Sequence, residues 1–82
     1  MTMVKRKIYL SFPAEKIKES IICDMYDRYR VRFNIRTATV TETSGLMAIE
    51  LEGDEKKVTE AQDYFTQCGL TVEPIEMNVI AT

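Results

Sequence analysis

Histidine is absent from this 82-residue chain, and its two thiols, Cys23 and Cys68, stand far apart. The side chain that most often moves protons in enzymes is therefore missing. No Cys-x-x-Cys pair offers the spacing of a zinc or iron–sulfur site. Catalysis would fall to Cys, Lys or carboxylates, and no pair of these has a spacing that points to general acid–base work. The reading is of a binding protein and not an enzyme, with no metal and no cofactor. Both thiols are expected to be buried packing residues. Recognition chemistry is better supplied. Lys5, Arg6 and Lys7 form one basic run, and Arg28, Arg30, Arg32 and Arg36 follow, with Asn34 among them. An amide side chain donates and accepts, and a guanidinium holds a carboxylate through two parallel hydrogen bonds.

Composition narrows the class of ligand. Eleven basic and thirteen acidic residues leave a net charge of −2. Nucleic-acid binding needs a cationic surplus, so no nucleic-acid partner is expected, and the scattered cations read first as a solvated surface. The apolar stretch after Lys7 is short and is interrupted by Glu15 and Lys16, unlike a signal peptide. No run reaches the length of a membrane span, so no direct membrane insertion is expected. The chain reads as cytoplasmic, with reduced thiols. It has room for one domain and one core, spanning 1–82 with an ordered part at about 4–76. A domain this small buries only roughly 60–65% of its unfolded surface, so a partner subunit would supplement its stability.

The elements that must position these groups follow from the periodicity. Ile8, Leu10 and Phe12 alternate with Lys7, Tyr9 and Ser11 as a half-buried strand over residues 5–12. From Ala14 to about Tyr29 the apolar residues Ile17, Ile21, Ile22, Met25 and Tyr29 recur at helical spacing. Alternation returns over 31–41, with Val31, Phe33 and Ile35 on one face and Arg32, Asn34 and Arg36 on the other. Thr43-Ser44-Gly45 reads as a turn, and Met47, Ile49 and Leu51 alternate after it, which makes a hairpin. Asp54 is placed to cap a second helix carrying Val58, Ala61, Phe65 and Cys68, and Gly69 ends it. Leu70 and Val72 open a last strand that Pro74 confines to an edge. Residues 1–4 and 78–82 read as frayed ends, and Val79-Ile80-Ala81 as an apolar tail able to dock on a partner.

Strand, helix, strand, strand, helix, strand is the α+β order of a ferredoxin-like βαββαβ fold. Right-handed crossovers then give a four-stranded antiparallel sheet, order 4-1-3-2, with both helices on one face. The other face would carry Lys7, Tyr9, Arg32, Asn34, Arg36, Ala38, Leu46, Ala48, Glu50, Thr71 and Glu73. Fold alone does not select a function. An RNA-recognition module needs aromatic residues on its first and third strands. Tyr9 fits the first, but Leu46 and Ala48 hold the third-strand positions and Glu50 would repel phosphate. A copper chaperone needs two cysteines in the first loop, which here reads Ser11-Phe12-Pro13-Ala14. An acylphosphatase needs a phosphate-cradling loop with an arginine there, and none is present.

Four short stretches, in order, resemble one family. They are Phe33-Asn34-Ile35-Arg36, Gly45-Leu46, Glu50-Leu51-Glu52-Gly53 and Gly69-Leu70-Thr71-Val72-Glu73. Together, over about residues 4–76, they resemble the NIL domain, a relative of the ACT regulatory domains named for an Asn-Ile-Leu in its second strand. Arg36 stands where that motif has leucine. The resemblance implies a non-catalytic regulatory domain, as found at the C-terminus of methionine-importer ATPases, beside ferredoxin modules or free-standing. No Gly-rich Lys-Ser/Thr motif marks an ATPase and no cysteine cluster marks a ferredoxin, so the chain reads as a free-standing member or an excised domain.

The resemblance also implies an amino-acid ligand, methionine or another sulfur amino acid, and a homodimer. The candidate ligand-binding residues are Asn34, Ile35 and Arg36 with Phe12 and Pro13. Asn34 and Arg36 are equally the solvating residues of an edge strand, and both readings stand at this point. The alternative function is a protein–protein adaptor that meets a partner of sulfur metabolism in trans. The second strand, threonine-rich and free of proline, is the expected dimer edge.

Overall fold

Ile8 and Leu10 are wholly buried, and they fix which face of the first strand turns inward. The computed structural model describes residues 2–75. β1 (Met3–Pro13) pairs along its full length with β3 (Ser44–Asp54), Ile8 opposite Ile49 and Leu10 opposite Met47. β2 (Arg32–Val40) pairs with β3 on the outside, and β4 (Thr71–Pro74) pairs with β1 on the other side. The sheet order is β2-β3-β1-β4, antiparallel throughout, as the crossover rule requires. The Ile75 N–H donates to the Lys7 carbonyl at 2.9 Å and carries the pairing one residue past Pro74.

α1 (Ile21–Tyr29) and α2 (Glu55–Gln67) cover one face. Ile21 and Met25 enter the core from α1, and Val58, Ala61 and Phe65 from α2. Gly69 closes α2 at φ 93°, and the Leu70 N–H reaches back to the Phe65 carbonyl, the six-to-one bond of a glycine-terminated helix.

Four expectations need correction. The helix predicted from Ala14 begins only at Ile21. Residues 14–16 form a 3-10 turn instead, because Ile17 is held at the sheet end, where it faces Gly45 together with Phe12. The chain start is not frayed at Thr2–Val4. β1 begins at Met3, and the Glu55 N–H donates to the Thr2 carbonyl at 2.7 Å. That main-chain oxygen serves the α2 N-terminus while Asp54, correctly placed at the cap, makes no side-chain cap bond. Neither thiol is buried: Cys23 is exposed and Cys68 half-buried. Cys23 lies two residues from Ile21, about 200° around a 3.6-residue turn, and so faces water.

The fourth correction concerns the β2 faces. The register slips at a bulge between Ile35 and Thr37, where Arg36 is the extra residue. Before it, Asn34 opposes Glu50; after it, Thr37 opposes Ala48 and Ala38 opposes Met47. Ala38 therefore joins Phe33, Ile35 and Val40 on the helix side, and Thr37 and Thr39 take its place on the open face. A bulge inserts one residue and reverses the parity of everything beyond it. The expectations for residue 1 and for 78–82, including the apolar tail, lie outside the described residues.

Candidate functional site

The β2–β3 register assembles the charged half of the open face. Glu52 lies between Arg32 on β2 and Lys5 on β1, and Glu50 lies between Asn34 and Lys7. Arg32, Phe33, Asn34, Glu50 and Glu52 line a cleft of about 220 Å³ there. Arg36 is not in that lining, but the bulge puts its Nη1 3.9 Å from Oε1 of the lining residue Glu50. Glu50 keeps 17% of its side-chain exposure, whereas Arg36 keeps 52%. At 3.9 Å the contact is an ion pair and not a hydrogen bond, so the guanidinium fork keeps its donors. Guanidinium, amide and carboxylate groups thus converge on one small cleft, which can hold a ligand bearing both charges.

The five sequence-predicted residues divide among three places. Asn34 lines this cleft and Arg36 reaches its Glu50. Ile35 points to the opposite face of β2 and is 45% exposed. Phe12 lines a second, apolar cleft of about 80 Å³ with Ile17, Val40, Gly45, Leu46 and Met47. Pro13 ends β1 beside Ser44. Gly45 and Glu50 are five residues apart on β3, so the two clefts stand about 17 Å apart at ~3.4 Å per residue. Arg32, Glu50 and Glu52 were outside the predicted site, although the hairpin pairing places both glutamates opposite β2.

Other polar clusters serve the fold. Arg6 donates to Thr59 Oγ1 at 3.1 Å and to Gln62 Oε1 at 3.2 Å, which holds α2 to β1. Tyr64 packs on Tyr29 at 5.8 Å between ring centroids, with the Arg28 guanidinium 5.0 Å from its ring centre. Hydrogen bonding with Cys68, then burial, raises the Tyr64 pKa and moves it further from neutrality. Among the described residues no group of three or more potential metal ligands gathers, and no helix is long and apolar enough to cross a membrane.

The profile of the NIL domain matches residues 6–74. The chain belongs to the NIL domain family. The fold has counterparts among solved structures. The C-terminal domain of an ABC transporter ATP-binding protein from Enterococcus faecalis is similar with a TM-score of 0.75 at 23% identity, over 85% of this chain and 82% of that one. CPII from Thiomonas intermedia K12, in a structure bound to ADP, AMP and acetate, is similar at 0.50 and 17% identity, over 96% and 94%. Both likenesses concern the fold. No curated protein matches this NIL domain in sequence. Family membership fits a small regulatory, ligand-binding domain, and within it the β2–β3 cleft is where this NIL domain concentrates polar groups.

Proposed function

We propose that this NIL domain is a non-catalytic, cytoplasmic regulatory domain that binds a free amino acid in the β2–β3 cleft. The supporting observation is the convergence of Arg32, Asn34, Glu50 and Glu52 on about 220 Å³. That volume is below the roughly 300–1,000 Å³ typical of drug-sized ligands and suits an amino acid. An arginine and an amide can take an α-carboxylate, and a glutamate can take an ammonium. The sulfur amino acids, methionine among them, come first in the search, as the resemblance implies. Calorimetry with methionine, homocysteine, cysteine and S-adenosylmethionine tests this; no heat and no thermal shift at millimolar ligand would remove it.

The proposal includes a homodimer joined along the free edge of β2. An antiparallel neighbour would pair with the unused N–H and C=O groups of that strand and cover Phe33, Ile35 and Val40. Ile35, Phe12 and Pro13 stay in the proposed site only through such a neighbour, since one copy keeps them apart. A light-scattering mass that stays near the 9.5 kDa of the monomer at micromolar concentration, with and without ligand, would sink the dimer.

A second reading, the adaptor that meets a partner protein in trans, is favoured by the same exposed strip. Phe33, Ile35 and Val40 are 37%, 45% and 62% exposed, and Tyr26 lies against Phe33 at 6.3 Å. Amino-acid binding with no specific partner recovered in a pull-down would count against it.

A further inference from the structure

Arg36 is the residue that the sheet does not need. With it removed in thought, Phe33, Ile35, Ala38 and Val40 alternate without interruption against Arg32, Asn34, Thr37 and Thr39, and every β3 partner is kept. Bulges of this kind commonly re-aim a side chain beside a functional site. This one sets a half-exposed guanidinium beside the cleft, in loose contact with its lining residue Glu50 at 3.9 Å.

The charges around it are unequal. Each central glutamate has a lysine across from it on β1, Lys5 for Glu52 and Lys7 for Glu50. Four cations, Lys5, Lys7, Arg32 and Arg36, therefore share Glu50 and Glu52; Arg36 contacts Glu50 at 3.9 Å, and among the described residues Arg32 has no ion pair within 4.0 Å. Phe33, the one apolar residue in the cleft lining, turns its ring to the helix side against Tyr26. A ligand with a neutral, apolar side chain would satisfy one guanidinium, take Glu50 with its ammonium and leave Arg36 partly desolvated with a shared carboxylate, which is costly.

We infer that the ligand of this cleft is an α-amino acid whose side chain ends in an anion, a carboxylate or a sulfonate, held by Arg36. The inference rests on the amino-acid reading above and replaces a neutral side chain with a charged one. The α-carboxylate goes to Arg32 and Asn34, the ammonium to Glu50 and Glu52, and the second anion to Arg36.

The test is calorimetry of glutamate, homocysteate and methionine against the wild type, Arg36→Leu and Arg36→Gln, each checked for folding by its melt. Glutamate or homocysteate is expected to bind the wild type roughly tenfold tighter than methionine, within the usual worth of a charged hydrogen bond. Added salt should narrow that gap. Both variants should lose the advantage while keeping their affinity for methionine. Which anionic ligand binds more tightly separates carboxylate from sulfonate. Methionine binding as tightly as either anion, or an unchanged preference in both variants, overturns the inference and leaves the amino-acid reading standing. No binding by any of the three ligands overturns both.

Discussion

β2 and β3 carry the same alternating pattern yet have opposite fates. β3 buries Ile49 and Leu51 completely, whereas every residue of β2 is exposed. The difference is cover. α2 lies over the central strands, while α1, nine residues long, sets Tyr26 beside Phe33 of the outer strand and leaves that strand exposed. Alternation says that a strand has an apolar face; it does not say that anything lies on that face. The centre of the sheet therefore carries stability, and the outer strand carries apolar and charged surface that is free for recognition.

The largest expected break in that contrast is Leu51→Ala. Removing a wholly buried leucine should cost about 2–5 kcal/mol in urea unfolding. Gly69→Ala comes next, at about 1 kcal/mol, because a Cβ is disfavoured at φ 93°. Ile35→Ala on the outer strand should cost less than about 1 kcal/mol in the monomer, since a side chain 45% exposed has little burial to lose. A larger loss that grows with protein concentration would show that a second copy covers β2. Deleting Arg36 should change stability by less than about 1 kcal/mol, although deletions inside strands normally reverse their faces. Amide spectra should keep the Asn34–Glu50 and Ala38–Met47 pairings; their loss would show that the bulge is structural. Asp54→Ala should have the smallest effect, below about 0.5 kcal/mol instead of the usual ~1 for a cap, because the side chain makes no cap bond.

The topology was legible because the two periods changed at clear punctuation. Pro13 ended the first strand, Gly69 ended the second helix, and Pro74 fell at the end of an edge strand. The late start of α1 was not legible, because Ile17 fits a helical apolar stripe as well as it fits the sheet end beside Gly45. The bulge left a trace that went unread. Phe33 and Ile35 are apolar at odd positions and Ala38 and Val40 at even ones, a parity change that a single extra residue explains. Within the candidate site, Asn34 and Arg36 were visible as polar residues on a strand. The roles of Arg32, Glu50 and Glu52 needed the hairpin register, which fixes who faces whom across β2 and β3.

The bond from the Glu55 N–H to the Thr2 carbonyl has a mechanical consequence. Both partners are main-chain atoms, so among substitutions at either residue only Glu55→Pro, which removes the N–H, deletes it. Otherwise displacement of the backbone is needed. A pull on residue 2 therefore loads the first turn of α2 directly, across a single 2.7 Å link, as well as the β1–β3 ladder that begins at Met3. The start of α2 acts as a strain gauge for the chain at residue 2, and amide exchange at Glu55 is the signal it would give.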